Sequence, residues 1–206
     1  MELFDAAASR DPHAPLADRM RPETLDEVLG HQKVVGPGTF LREAIARDEV
    51  PSLVLWGPPG SGKTTLARVI ARSTRAAFEP FSAVLGGVKE VREIVRRARE
   101  RRSLMGHRTL LFVDEIHRFN KGQQDAFLPH VEDGTLTLIG ATTENPSFAL
   151  NSALLSRCRV VRLEALAPEA LTALVRHALE TPTRGLGDQQ TEVEDGVLEA
   201  IGRAAD

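Results

Sequence analysis

The stretch most suited to chemistry is Gly57-Pro58-Pro59-Gly60-Ser61-Gly62-Lys63-Thr64. It matches the full G-x-x-x-x-G-K-[ST] pattern of a phosphate-wrapping loop. Glycines let consecutive backbone N–H groups turn inward around phosphate oxygens, and the helix that follows adds partial positive charge at its N-terminus. Lys63 is long enough to reach β and γ phosphates, and the Thr64 hydroxyl can ligate Mg²⁺. Thr65, next in the chain, joins the cofactor-binding candidates. The plain alternative is a Gly/Pro turn of any α/β protein. A strand pattern before the loop and a helix pattern after it favour the phosphate reading.

A second cluster is Leu110-Leu111-Phe112-Val113-Asp114-Glu115, an apolar run closed by two carboxylates. Asp114 suits Mg²⁺, directly or through water, and Glu115 suits a general base that polarises water. Alone, the pair could simply cap the next helix. Together with the phosphate loop it reads as hydrolytic. Asp114-Glu115-Ile116-His117 also spells a helicase box, but a helicase of that type needs a second nucleotide-binding domain, for which the chain has no room. Leu138 to Asn145 (LIGATTEN) ends a further strand in polar residues. Thr143 is the first candidate for sensing a γ phosphate, with Thr142 and Asn145 behind it; the alternative is an ordinary turn before Pro146. Arg157, in Ser156-Arg157-Cys158, could complete a neighbour's site by pairing with transition-state charge, or be a solvated surface arginine.

These residues need a scaffold, and the hydrophobic pattern supplies one. Strands are expected at Ser52–Trp56, Ala76–Phe81, Thr109–Val113, Leu136–Ala141 and Arg159–Leu163. Helices are expected at Lys63–Ser73, with Leu66, Val69, Ile70 and Ser73 on one face, and at Val88–Arg102, with Val88, Val91, Ile94, Val95 and Ala98 inward. Further helices are expected at Lys121–Val131, its last turn disturbed by Pro129, and at Asn151–Arg157. Strand-helix alternation implies a parallel sheet with helices on both faces. Residues 1–22, with prolines at 12, 15 and 22, read as an N-terminal arm with little helix of its own; residues 23–165 form the core. Beyond it, residues 166–206 carry two helices, Pro168–Glu180 and roughly Glu192–Ala204, without a strand. They read as the start of an all-helical lid that is cut short, with nucleotide between core and lid.

Composition narrows the field. The 206 residues carry a net charge of -3, so DNA contact requires a local basic patch. Hydrophobic residues make up 42%, enough for a full core, and no run of 18 apolar residues appears. Cys158 stands alone, so no intramolecular disulfide can form, and the histidines and cysteine lack zinc spacing. These features suit a cytoplasmic protein without a secretory leader.

Taken in order, the motifs resemble those of AAA+ ATPases of the clamp-loader clade. The resemblance narrows to the family of replication-associated recombination protein A and the Werner-helicase-interacting ATPase. It is carried by Pro15–Pro22 (PLADRMRP), Leu53–Thr65, Phe112–Leu128 (FVDEIHRFNKGQQDAFL) and Ile139–Arg157 (IGATTENPSFALNSALLSR), most of residues 15–165. The fold it implies is a P-loop domain with a five-stranded parallel sheet and the start of a helical lid. It implies that Arg157 is the trans arginine finger, and that Arg21–Gln32 lines the adenine pocket through Arg21, Pro22, Val28 and Leu29. It implies ATP hydrolysis stimulated by DNA at forks or gaps, contact with single-stranded-DNA-binding protein, a homotetramer for the full-length protein, and association with the bacterial nucleoid. The family's second sensor arginine and oligomerisation domain are not found before Asp206, so this chain is expected to hold nucleotide less completely and to be monomeric. Rivals are a clamp-loader subunit, a branch-migration motor, or a non-hydrolysing nucleotide-binding scaffold.

Weaker signals remain. Lys89, Arg92, Arg96, Arg97, Arg99, Arg101 and Arg102 form a basic strip, read either as DNA-facing or as a solvated helix face paired with Glu90, Glu93 and Glu100. Arg118 and Lys121 are further DNA candidates. His117 reads as a hydrogen-bonding residue, and Met1-Glu2-Leu3-Phe4 resembles the end of a clamp-binding peptide.

Overall fold

The computed structural model describes residues 14–82, 87–189 and 193–205. The strands are β1 Leu53–Trp56, β2 Ala77–Ser82, β3 Thr109–Asp114, β4 Thr137–Thr142 and β5 Arg159–Arg162. The helices are α1 Leu16–Arg19, α2 Gln32–Val35, α3 Phe40–Ala46, α4 Lys63–Arg72, α5 Val88–Met105, α6 Lys121–Asp125, α7 Leu128–Glu132, α8 Pro146–Ala149, α9 Ser152–Leu155, α10 Pro168–Glu180 and α11 Asp195–Ala204. Residues Glu23–Ala165 form one compact unit, and the residues on either side, to Pro22 and from Leu166, form another.

The five strands form one parallel sheet in the order β2-β3-β4-β1-β5. β4 therefore lies between the strand that leads into the phosphate loop and the strand that ends in the carboxylates. Trp56 pairs with Thr142, and Val113 with Gly140, so three strand ends share one edge. Because side chains alternate faces along a strand, the central strands feed two cores. Leu53 and Leu55, Leu110 and Phe112, and Ile139 and Ala141 pack with Leu66, Ala67, Val69 and Ile70 of α4. Val54, Leu111, Val113 and Leu138 face the other way, onto Val91, Ile94, Val95 and Ala98 of α5. Full burial of each such aliphatic side chain contributes roughly 1.5–3 kcal/mol, which makes the central strands the rigid base of the site.

Several elements differ from the sequence expectation. Ser73 is not on the buried face of α4: it is the exposed C-cap, and Ala67 and Ala71 are buried instead. The single helix expected at 121–131 is two. α6 starts with a reciprocal cap between Asn120 and Gln123, and Pro129 sits in the first turn of α7, where no N–H is needed. α5 runs on to Met105 and ends at Gly106 in the left-handed region, φ 68°. The short α8 was not anticipated, and α9 is shorter than expected because Asn151 is its cap, accepting from Leu154 N at 2.7 Å. The arm includes one helical turn, α1. The clamp-peptide resemblance at Met1–Phe4 and the first residues of the arm lie outside the described residues.

In the second unit α10 and α11 pack together. Gly202 makes this possible, since a Cβ there would stand 2.3 Å from Thr172 Oγ1. Arg176 and Asp195 join the two helices at 2.8 Å.

Candidate active site

The phosphate loop is built by glycines with separate duties. A Cβ on Gly57 would lie 2.3 Å from the Leu163 carbonyl oxygen, so only glycine fits where the chain leaves β1. Gly60 and Gly62 have φ of +75° and +80°, which other residues reach only with strain. Gly62 is the N-cap of α4, so the first-turn N–H groups of that helix open onto the loop. Lys63 is the first residue of α4 and nearly buried; its ammonium donates to the carbonyls of Gly57 at 2.9 Å and Pro58 at 2.7 Å. Thr64 and Thr65 are half-buried behind it.

The loop has a support that the motif does not encode. His31 is buried, and its Nε2 lies 2.8 Å from the Ser61 carbonyl. A carbonyl can only accept, so Nε2 carries the proton.

Asp114 closes β3 opposite Ser82 of β2. Glu115 follows in the left-handed region, φ 53° and ψ 43°, a conformation that costs about 1 kcal/mol or more for a side-chain-bearing residue. Its N–H donates to Asp114 Oδ1 at 3.1 Å. The kink starts a 3-10 turn, Ile116–Arg118, that folds back over β4. Ile116 is fully buried on Gly140, where a Cβ would stand 2.9 Å from Ile116 Cδ1. His117 then reaches two partners: Thr142 Oγ1, 3.0 Å from Nδ1, and Glu115 Oε2, 3.1 Å from Nε2. The hydrogen-bonding role read for His117 in the sequence is what its ring does, though which partners it takes was not legible there.

Electrostatics join the two motifs. Burial pushes the Lys63 ammonium below its ordinary value, while the negative charges of Glu115 and Asp114 pull it back up. Lys63, Asp114 and Glu115 therefore lie within one field.

Of the three polar candidates at the end of β4, two are engaged. Thr142 is buried, accepts from Glu144 N at 3.0 Å and faces His117. Asn145 caps α8 by accepting from Ser147 N at 3.0 Å. Thr143 is half-buried, and no side-chain hydrogen bond is found for it among the described residues. Arg157 is not brought to this site. Its guanidinium donates to Ala153 O at 2.8 Å and pairs with Glu132 at 2.5 Å, with 40% of the side chain exposed. Arg21 pairs with Asp18 at 2.7 Å, and with Pro22 it belongs to the flanking unit. Val28 packs in the core with Val35 and Leu41, and Leu29 is half-buried.

The residues present fit a nucleotide triphosphate with its metal. The loop offers inward N–H groups, a helix N-terminus and an ammonium, all suited to anions. Thr64 and Asp114 offer the two hard oxygens with which proteins usually hold Mg²⁺, the remaining positions falling to water and phosphate.

Comparison with known proteins agrees with this fold. The family model described as "ATPase family associated with various cellular activities (AAA)" matches residues 53–165. The chain is 57% identical over 187 residues to replication-associated recombination protein A of Escherichia coli K12, covering 91% of this chain and 42% of that protein. It is 42% identical over 193 residues to the ATPase WRNIP1 of Dictyostelium discoideum, covering 94% of this chain and 22% of that one. Among solved structures it resembles the RuvB Holliday junction branch migration motor of Thermotoga maritima, 32% identical with a TM-score of 0.69 over 89% of this chain and 59% of that chain. The chain spans less than half the length of these curated relatives. Among the described residues no helix is long and apolar enough to cross a membrane.

Proposed function

This chain belongs to the AAA family of ATPases, and from that premise we propose that it is the Mg-dependent ATP-hydrolysing core of a DNA replication and recombination motor. The observation that carries this reading is the strand order, which sets the phosphate loop after β1 and the Asp114-Glu115 pair at the end of β3 on either side of β4, at one edge of one sheet.

The residues divide the work. Loop N–H groups from Gly57 to Thr65 and the N-terminus of α4 bind the phosphates. Lys63 exchanges the carbonyls of Gly57 and Pro58 for β and γ phosphate oxygens. Thr64 and Asp114 would hold Mg²⁺, which would supply positive charge to the phosphate oxygens. Glu115 takes a proton from water as the water oxygen bonds to the γ phosphorus and the bond to the ADP oxygen breaks. Thr143, whose hydroxyl has no hydrogen bond among the described residues, senses the γ phosphate. Arg157 stands apart from this set and serves a neighbouring subunit's site, so hydrolysis depends on assembly into a homo-oligomer. Within the core unit, Val28 and Leu29 contribute to adenine binding.

The names of the similar proteins support a role in DNA replication and recombination. Action at stalled forks or gaps, single-stranded-DNA-binding protein as a partner and a nucleoid location extend that reading from the family resemblance alone. Likeness to RuvB favours branch migration as the second reading. The test is ATP hydrolysis with forked, gapped, blunt and four-way DNA. Stimulation by forks or gaps supports the first reading and selective stimulation by four-way junctions the second; an unchanged rate with all of them refutes both. Glu115→Gln separates an ATPase from a scaffold: the ATPase loses nearly all turnover, and a scaffold has none to lose.

A further inference from the structure

The kink at Glu115 returns the chain over β4, and the residue it delivers is His117, only 11% exposed. Nδ1 lies 3.0 Å from Thr142 Oγ1, and Nε2 lies 3.1 Å from Glu115 Oε2 and 3.7 Å from Glu144 Oε1. Arg118 stands 3.8 Å from the same Glu115 oxygen.

Proton counting fixes what the ring does. Thr142 Oγ1 accepts from Glu144 N at 3.0 Å and has one proton to give, either to His117 Nδ1 or to Glu144 O at 3.3 Å. In the first case the ring is neutral and Nε2 carries its proton. In the second, Nδ1 must donate, and a ring that also faces a carboxylate with Nε2 is an imidazolium. Nε2 donates to Glu115 in both cases. One oxygen of Glu115 is therefore held through the ring to the end of β4, and the other is left for water.

We propose that His117 is a positioning residue for Glu115, locking one carboxylate oxygen against strand β4 through Thr142. The proposal rests on Glu115 as the base of the proposed ATPase. A base 1 Å out of place costs up to about 10²-fold in rate, so a lock with these contacts acts on hydrolysis rather than on nucleotide capture. Thr142 is also tied to the phosphate loop, because its carbonyl accepts from Gly57 N at 3.2 Å. Strand β4 thus carries both the loop anchor and the base anchor.

The test uses single-turnover ATP hydrolysis with protein in excess, ATP affinity by fluorescence titration, and nitrogen NMR of the His117 ring. His117→Ala and His117→Asn, which lack an atom at the Nε2 position, are expected to slow hydrolysis about 10- to 100-fold with affinity changed less than about 3-fold. His117→Gln, which restores a donor near Nε2, is expected to recover much of the rate. In a Glu115→Gln background, His117→Ala is expected to cost nothing more. The second readout needs no hydrolysis: the His117 ring nitrogen signals are expected to move in Glu115→Gln and in Thr142→Val. Hydrolysis unaffected by His117→Ala while Glu115→Gln abolishes it overturns the lock and leaves the base standing. Equal losses of affinity and rate, or ring signals indifferent to both partner substitutions, also overturn it. Full hydrolysis by Glu115→Gln removes the base and the lock together.

Discussion

Glu79 offers a quantitative test of how the site's frame is held. It is a carboxylate 7% exposed, on edge strand β2, facing two arginines of α5. Arg97 Nη2 donates to it at 3.0 Å and Arg101 Nη2 at 2.5 Å; a third contact, from Arg97 Nε, is marginal at 3.4 Å. Charged hydrogen bonds contribute about 1.5–3 kcal/mol each when well buried. The arginine side chains are 36% and 29% exposed and can turn to water when the carboxylate is lost, so the low end applies. Glu79→Ala is expected to cost about 3 kcal/mol of stability, and Glu79→Gln, which can still accept one bond, about half of that. The assay is urea unfolding followed by Trp56 fluorescence. The sign of its pH dependence is set. Burial pushes the Glu79 carboxyl up, but the hydrogen bonds and charges of Arg97 and Arg101 together outweigh it and leave it below its ordinary 4.5. A depressed carboxyl stabilises the fold above 4.5 and loses that contribution as pH falls through its folded value, so the gap between wild type and Glu79→Gln should narrow below about pH 4.5. A cost under about 0.5 kcal/mol, or a gap that is flat with pH, would refute this reasoning.

Other outcomes follow from single contacts. Gly57→Val places atoms against the Leu163 carbonyl and should cost about 1–3 kcal/mol of stability and most ATP affinity; a variant as stable as wild type would contradict the crowding there. Arg157→Ala should leave hydrolysis by monomers unchanged and lower it only in assemblies, checked by mixing it with a Glu115→Gln partner whose own site is dead. Burial pushes the Cys158 thiol up to about 11. Its alkylation near pH 8 should therefore be about a hundredfold slower than that of a free thiol and rise about tenfold per pH unit; rapid labelling at pH 7 would contradict the burial.

Much of the frame was legible in the sequence because it is written in local patterns. Short apolar runs marked all five strands to within a residue or so, Ala76–Phe81 without a β-branched residue, and 3.6-residue spacing marked α4 and α5. The phosphate loop and the acidic pair were legible as consecutive residues, and their meeting at one sheet edge follows from the strand order. What escaped the sequence depends on pairs distant along the chain. Glu79 sits 18 and 22 positions from its arginines, so the basic strip was weighed as DNA-facing or as paired along its own helix. Arg96 does pair locally, with Glu93 and Glu100, but Arg97 and Arg101 serve the sheet edge and Arg99 and Arg102 reach Asp133. His31 supports Ser61 from 30 residues away, and buried Gln124 ties Phe119, Ala149 and Asn151 together; neither has a spacing signature. In the sequence Pro129 reads as disturbing the last turn of one helix, whereas it stands in the first turn of another, since the residue type fits both roles and the neighbouring turn decides.

The central proposition is that the loop at 57–64 and the carboxylate of Asp114 hold one metal-nucleotide complex. Mn²⁺ in place of Mg²⁺ tests it directly by electron paramagnetic resonance. Mn²⁺ should bind tightly only with ATP present, should couple to phosphorus, and should be released by Asp114→Ala and by Lys63→Ala. ATP binding that is indifferent to metal and survives both substitutions would contradict it.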